Sequence, residues 1–468
     1  LAKELIRGAA DRARTATVIE APVIEPVRSA LVVGGGLAGM TAALHLADGG
    51  IPVQLVERTG ALGGNALRLG AAPDGADIAA HTRGLAERVQ GHAGITVHVD
   101  TELASLSGRQ GNWLASLRKR QDGPFQVSAG AAIVATGGQE YRGAVYGLGG
   151  AKARGDDRIV TLLDLEKRLA EQPDLPQGWG QVVFIGCVGP WDEPDSNRAW
   201  RCSRTCCQGM LKQATAIKEA NAGCQVIVLS REINAYGLRE ADYTRARRAG
   251  VLFVRFDAQH KPVVDQTADG LRVTVEEESL HETLELRPDL LALGVAIVPR
   301  EDAAETARRL GIQQLGEGFF REWESKTRSA ASLEPGIYLC GLDQGPRPSG
   351  ETISQALAAA EQALSYLSRD KITLSGAVAV VDKRRCMACL TCVRGCPYEV
   401  PVMVAPEAFE GASQAGQGTK KAVSYIDPAR CQGCGICAAD CPGKAIQINH
   451  YHDDQVIGDH LLGQWLVA

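Results

Sequence analysis

Eight cysteines fall into two runs of one spacing, Cys386-x2-Cys389-x2-Cys392-x3-Cys396-Pro397 and Cys431-x2-Cys434-x2-Cys437-x3-Cys441-Pro442. Thiolates so spaced bind iron–sulfur cubanes. The doubled run is the bacterial two-cluster pattern, in which the fourth cysteine of each run crosses to the other cluster. Cys386, Cys389, Cys392 and Cys441 are expected to hold one [4Fe–4S] cluster; Cys431, Cys434, Cys437 and Cys396 a second. Zinc is the rival, but zinc sites seldom repeat a four-cysteine run. A further set, Cys187, Cys202, Cys206 and Cys207, has the four thiolates that one more cubane needs. Three of these open a predicted helix, whose amino-terminal dipole favours thiolate. A redox disulfide or buried thiols are the alternatives, although adjacent Cys206 and Cys207 are poorly placed to pair with each other. Cys224 and Cys340 stand singly at strand positions and read as small apolar residues.

A second chemistry is carried by glycines. Gly34-Gly35-Gly36-Leu37-Ala38-Gly39 follows a short apolar strand and opens a helix. The first glycine permits a tight turn, the second lets the backbone approach a pyrophosphate, and the third packs helix on strand. The helix start offers free N–H donors and partial positive charge to the phosphate. Glu57 closes the next strand, placed for ribose hydroxyls, with Arg58 beside it. Three later stretches point the same way. They are Gly63-Gly64-Asn65, the strand end Ala135-Thr136-Gly137, and Cys340-Gly341-Leu342-Asp343 before a helix that begins near Ser349 and carries Thr352. Together they resemble the flavoproteins with two dinucleotide folds typified by thioredoxin reductase, which implies FAD. Leu342 separates Gly341 from Asp343 where those enzymes often have the pair adjacent, so Asp343 reads either as a flavin contact or as a solvated turn residue.

The elements that must position these residues alternate strand and helix, an α/β pattern. Residues 1–29 read as an amphipathic helix and a linker around Pro22–Pro26, and 30–142 as the first part of an FAD domain. Residues 143–325 read as a second dinucleotide-like domain, 326–370 as the second part of the FAD domain, 376–450 as a two-cluster ferredoxin domain, and 451–468 as a tail. Strands are expected at 30–33, 51–56, 182–185, 226–229, 251–255, 271–276 and 337–340, and helices at 40–47, from about 203, and at 352–367. The 468 residues suffice for two or three domains. A net charge of −5 gives no cause to expect nucleic acid as a partner. No apolar run reaches the roughly 20 residues of a membrane span, and cysteines spaced for clusters predict a reducing, cytoplasmic setting.

The second fold departs from a nicotinamide site. Its strand 182–185 leads into Gly186-Cys187-Val188-Gly189-Pro190-Trp191, where Pro190 has no N–H to give a phosphate and no third glycine follows. The stretch Cys187-Val188-Gly189, then Cys202-Ser203-Arg204-Thr205-Cys206-Cys207 and Lys212-Gln213, resembles the heterodisulfide reductase A-type family. So do Tyr236-Gly237, Arg239-Glu240 and Gln355, and the likeness runs from about residue 28 onward. The loop between Cys187 and Cys202 is slightly longer than in the family, with Pro-Trp for Ser-Arg. The amino-terminal cluster region and the ferredoxin insert common in full-length members are missing, as in a partial, split or shortened relative. The resemblance implies that the four cysteines hold a non-standard [4Fe–4S] cluster near the flavin, that Lys212 lies by the flavin ring and tunes it, and that the protein bifurcates electrons. It implies as partners ferredoxin, B- and C-type subunits that reduce a disulfide, an electron-donating hydrogenase or dehydrogenase, and a second copy as a homodimer. Alternatives are a self-contained NAD(P)H-dependent flavin oxidoreductase, an electron-input component of an ATP-independent benzoyl-CoA reductase, and a non-catalytic iron–sulfur scaffold.

Overall fold

Strands buried on both faces organise the first part of the chain. Ala30–Val33, Val53–Val56 and Ala131–Val134 are almost wholly apolar, as parallel strands covered on both sides must be. They lie in a seven-stranded sheet ordered 322–324, 328–332, 337–339, 131–134, 30–33, 53–56, 95–98. Its last five strands are mutually parallel. Helix Leu37–Asp48 packs on one face beside helix Ser349–Leu367. Ala356, Ala359, Ala360 and Ala363 are fully buried between them, and their short side chains permit close approach. A small antiparallel sheet (101–109, 112–119, 124–129) lies against the other face.

The computed structural model describes residues 2–451 apart from 17, 19–20, 71–75, 149–156, 194–200, 268–269, 278, 280–281 and 406–421. The expected tail, bar its first residue, and the Gly/Ala/Gln-rich loop 406–421 lie outside the described residues.

A second, all-parallel sheet of five strands runs 159–161, 290–295, 181–188, 225–230, 252–255. Helices Leu162–Glu171 and Cys206–Ala220 cover one face; a three-stranded antiparallel sheet (263–267, 270–277, 282–286) covers the other. A two-strand ribbon, Gly138–Glu140 against Ile297–Pro299, crosses between the two units. Immediately after it, helix Ala303–Leu310 buries Ala303, Ala307 and Leu310 in the core of the first unit. The chain thus re-enters the first unit at about residue 300, not 326. The earlier boundary follows from this helix, whose apolar stripe has its partner on the first sheet.

The two expected pieces flanking the core differ in one respect. The amphipathic helix is present as Ala2–Thr15. The Pro22–Pro26 linker instead contains a short strand, Val23–Ile24, paired antiparallel with Ile372–Thr373; two backbone partners at the end of the FAD unit outweigh the flanking prolines. Beyond it, two ribbons (379–381 with 446–448, 401–404 with 423–426) and helices Thr391–Gly395 and Ile436–Ala439 form a small module around its own core. This is the thioredoxin-reductase-like double dinucleotide fold followed by a ferredoxin fold. Among the described residues no helix is long and apolar enough to cross a membrane.

Candidate functional site

A cavity of about 430 Å³ opens at the carboxyl ends of the first sheet, where open α/β sheets bind ligands. Gly34, Gly36, Leu37, Ala38, Glu57, Arg58, Gly63, Gly64, Asn65, Ala135, Thr136, Gly137, Gly341 and Thr352 line it. The glycines divide their work as the motif requires. A Cβ on Gly34 would lie 2.2 Å from the Ala135 oxygen, and one on Gly39 only 1.8 Å from the Gly34 oxygen, so both serve close packing. A Cβ on Gly36 would meet no protein atom within 4 Å: its surface is open to a ligand. Glu57 Oε2 accepts from Gly35 N at 2.7 Å and Oε1 from Thr59 N at 2.8 Å and Thr59 Oγ1 at 2.7 Å, clasping the turn, and Oε2 keeps a lone pair for a ribose hydroxyl. Asn65 donates to the Gly138 oxygen at 3.0 Å. A glycine cradle, a helix start and a carboxylate at the second strand fit FAD.

Of the residues expected from the glycine motifs and strand ends, Gly39 and Asp343 do not line the cavity. Asp343 is neither solvated nor turned to the cleft. It is buried, and its carboxylate accepts from Thr136 N at 2.8 Å and from Thr136 Oγ1 at 3.2 Å, tying the two strand ends together. Burial pushes its carboxyl up to about 7, against the pull of those donors. Arg300, Arg309, Asp302, Thr306, Arg347 and Ser349 also line the cavity. The sequence offered no motif for the first four, which arrive only when the chain folds back across the ribbon.

Cys187, Cys202, Cys206 and Cys207 surround one hollow beyond the second sheet, with Trp191, Asn234 and Gly294. Cys187, one residue before its strand ends, has φ 62°, a strained conformation that surroundings must impose. Asn234, which the sequence did not flag, donates its N–H to Cys207 Sγ at 3.4 Å and its Nδ2 to Cys202 Sγ at 3.5 Å. Burial pushes the Cys187 thiol up to about 11. A hydrogen bond to Cys207 raises Cys206, while the same bond lowers Cys207 to about 7. Four thiolates cannot share this space as bare anions, and iron is the positive charge that would let them.

Two side chains link the segments that carry the hollow and the cavity. Arg204, two residues after Cys202, donates to the Pro346 oxygen at 3.0 Å and to Glu351 Oε2 at 3.1 Å. Tyr236 OH donates to Glu351 Oε1 at 2.7 Å. Glu351 is in the first turn of the helix whose Ser349 and Thr352 line the cavity.

Lys212 is not on the cavity wall. Its ammonium pairs with Glu166, whose carboxylate also accepts from Gly70 N and Gln213 Nε2, both at 2.7 Å. A buried carboxylate needs such a cation, and this one ties the second unit to the first beside Leu69.

In the small module, Cys386, Cys389, Cys392 and Cys441 line one hollow, which is the expected crossing of the fourth cysteine. Cys437, its thiol pushed up to about 12 by burial first and then by Cys431, Cys396 and Cys434, sits among the other set. Backbone N–H groups of Ala379 and Ala445 point at Cys431 and Cys441 sulfurs, 3.3 and 3.2 Å away, as in sites that tune cluster potential. The module docks through Arg109–Asp427 and Arg430–Glu334, each at 3.4 Å. A groove there brings Cys431 and Gln432 against Pro335 and Gly336. That is the amino-terminal end of the strand whose carboxyl end meets the cavity. The sheet, about 16 Å along the strand from Gly336 to Gly341 at roughly 3.3 Å per residue, stands between.

Comparison with known proteins agrees with this division. Residues 28–187 match the pyridine nucleotide-disulphide oxidoreductase family and 385–445 the 4Fe-4S dicluster domain. The chain is 28% identical, over 86% of its length and 73% of the relative's, to the first iron-sulfur A subunit of CoB–CoM heterodisulfide reductase from Methanopyrus kandleri. It is 27% identical, over 97% of its length and 80% of the relative's, to the A subunit of the H(2)/formate:CoB-CoM heterodisulfide,ferredoxin reductase of Methanococcus maripaludis. Among solved structures, thioredoxin reductase of T. acidophilum covers 72% of this chain and 99% of its own, with TM-score 0.51 and 14% identity, a likeness of fold.

Proposed function

We propose that this chain, an oxidoreductase of the heterodisulfide reductase A type, is an electron-transfer subunit with one FAD and three [4Fe–4S] clusters. FAD, when bound, takes electrons in pairs and gives them singly, and iron–sulfur clusters carry one each. Gly34, Gly36, Glu57, Asn65, Thr136 and the start of helix Ser349–Leu367 hold the flavin. Cys187, Cys202, Cys206 and Cys207 hold the cluster next to it. The cysteines of the two runs hold the other pair.

The observation that carries this reading is the first turn of helix Ser349–Leu367. Ser349 and Thr352 of that turn line the cavity, and Glu351 between them is gripped by Arg204, two residues after Cys202, and by Tyr236, two residues after Asn234. This contact supports a flavin site beside the four-cysteine site, and the groove at Cys431 supports a ferredoxin pair toward the other end of the sheet. Bifurcation needs two such separate outlets, and partner proteins of the heterodisulfide reductase type, with ferredoxin, are the expected acceptors.

The test is anaerobic purification with iron and flavin quantitation. About twelve irons per FAD are expected, from three four-iron clusters; eight would remove the Cys187 site from the reading. NADH and NADPH are expected to leave the isolated flavin oxidised, because Trp191 occupies the turn where a nucleotide phosphate would lie: a Cβ on Gly189 would meet its ring at 2.3 Å. Rapid bleaching by either nucleotide would replace this proposal with a self-contained reductase. For bifurcation, the reconstituted complex must couple flavin oxidation to ferredoxin reduction.

A further inference from the structure

The two cluster loops of the ferredoxin module share a backbone and differ in side chains. In the loop whose Cys431 and Gln432 meet the first unit, Gly433 and Gly435 have φ of 65° and 84°; in the other, the matching positions are Ala388 at 54° and Leu390 at 65°. Left-handed backbone disfavours any residue with a Cβ. Such strain persists where surroundings hold it and function uses it. Gly433 has a local need, since its Cβ would lie 2.2 Å from the Ala377 oxygen. The outer loop keeps its side chains and places them in solvent. Met387 is 67% exposed and Leu390 37%, and Cys389 between them is exposed as well. Gln432, the counterpart of Met387, lies in the groove against the flavin unit.

Basic residues outnumber the exposed acids Asp382 and Asp440 around this apolar spot. Arg384, Arg385 and Lys444 are exposed. Arg384 and Arg385 run directly into Cys386, and Lys444 adjoins Gly443, on which a Cβ would lie 3.3 Å from Met387 Sδ. An adaptable Met/Leu centre with a charged rim has the make-up of a protein interface, and a basic rim attracts acidic partners.

We infer that the Met387–Leu390 loop is the docking face for an acidic one-electron carrier protein of the ferredoxin class, seated over the Cys386/Cys389/Cys392/Cys441 site. The inference rests on the electron-transfer reading above. One electron crosses, gained by one protein and lost by the other, and no bond forms or breaks.

The test uses the full chain, purified anaerobically with its clusters and flavin, and an acidic two-[4Fe–4S] ferredoxin as probe, with affinity measured by calorimetry. The double variant Met387→Gln/Leu390→Gly copies the inner loop and relieves its backbone. It is expected to weaken binding at least tenfold while iron and flavin per chain stay unchanged. Arg384→Glu with Arg385→Glu is expected to weaken it similarly, and wild-type affinity should fall as salt rises. Unchanged affinity in the loop variant, or salt-insensitive binding, overturns the proposal. So does loss of iron from that variant, which would make the side chains cluster supports. So does a wild-type dimer, seen by light scattering, that the variant abolishes, since a second copy would then own the face. Wild-type protein with its full iron and no affinity for the probe sinks this inference alone. Protein without clusters sinks the reading beneath it.

Discussion

The two dinucleotide folds begin alike and end in different chemistry. Each sends a buried parallel strand to its sheet's carboxyl edge, Ala30–Val33 in one and Gln181–Val188 in the other. In the first, three glycines turn the chain and a helix starts at Leu37, its free N–H groups facing the cavity. In the second, the strand continues into Cys187, Pro190 starts a short 3-10 turn, and the long helix begins only at Cys206. Trp191 Nε1 donates to the Cys187 oxygen at 3.0 Å, filling the turn. The scaffold supplies a ligand position at the edge of a sheet; the few residues of the turn decide whether it accepts phosphate or presents sulfur.

The sharpest way to break this contrast is Gly39→Val. Its Cβ would enter the Gly34 oxygen's space, 1.8 Å away, and no flexible side chain can yield. Complete loss of flavin absorbance is expected, with ferredoxin clusters retained; normal flavin content would show that the glycine turn does not hold it. Cys206→Ala should do the opposite: about a third of the iron lost, flavin kept. An unchanged iron content would return Cys206 to the buried thiols.

How much of this was legible beforehand follows from the range of the interactions. The glycine motif, the Cys386 and Cys431 runs and the strands at 30–33 and 226–229 are local patterns, and period, spacing and turn chemistry specify them. The cavity's arginines are another matter. Arg300 and Arg309 reach it because helix Ala303–Leu310 follows a ribbon that returns to the first unit, and no spacing in the sequence encodes that return. Asn234 escaped notice for the same reason: its loop approaches Cys202 and Cys207 only after the strand Gln225–Ser230 has paired. Lys212 shows a different gap. Resemblance suggested a place by the flavin, and the structure adds a partner that no local pattern flags, Glu166, buried and 46 residues earlier.

Between the two folds, that pair offers a smaller and more diagnostic effect. Lys212→Met leaves Glu166 buried without its cation, which costs roughly 3 kcal/mol where a buried pair is broken. The melting temperature should fall, and Glu166→Gln in the same chain should restore part of the loss, because Gln can still accept from Gly70. The flavin's reduction potential should hardly move. A large shift in potential with unchanged stability would put Lys212 back beside the ring.

The smallest effect tests the edge of the flavin half alone. Asp343's carboxyl, raised by burial from its ordinary 3.8 to about 7, keeps its proton in the folded chain over a range where the unfolded chain has released it. The folded state therefore binds more protons between about pH 4 and 7, and stability falls as pH rises through that window. Its contribution is fully present below about pH 4. Asp343→Asn retains an acceptor for Thr136 and cannot titrate, so thermal unfolding of the variant should change less between pH 4 and 7, by a few degrees. An identical pH slope in the two proteins would mean that the carboxylate is charged throughout, and that Thr136 N–H and the nearby Arg347 offset its burial without a proton.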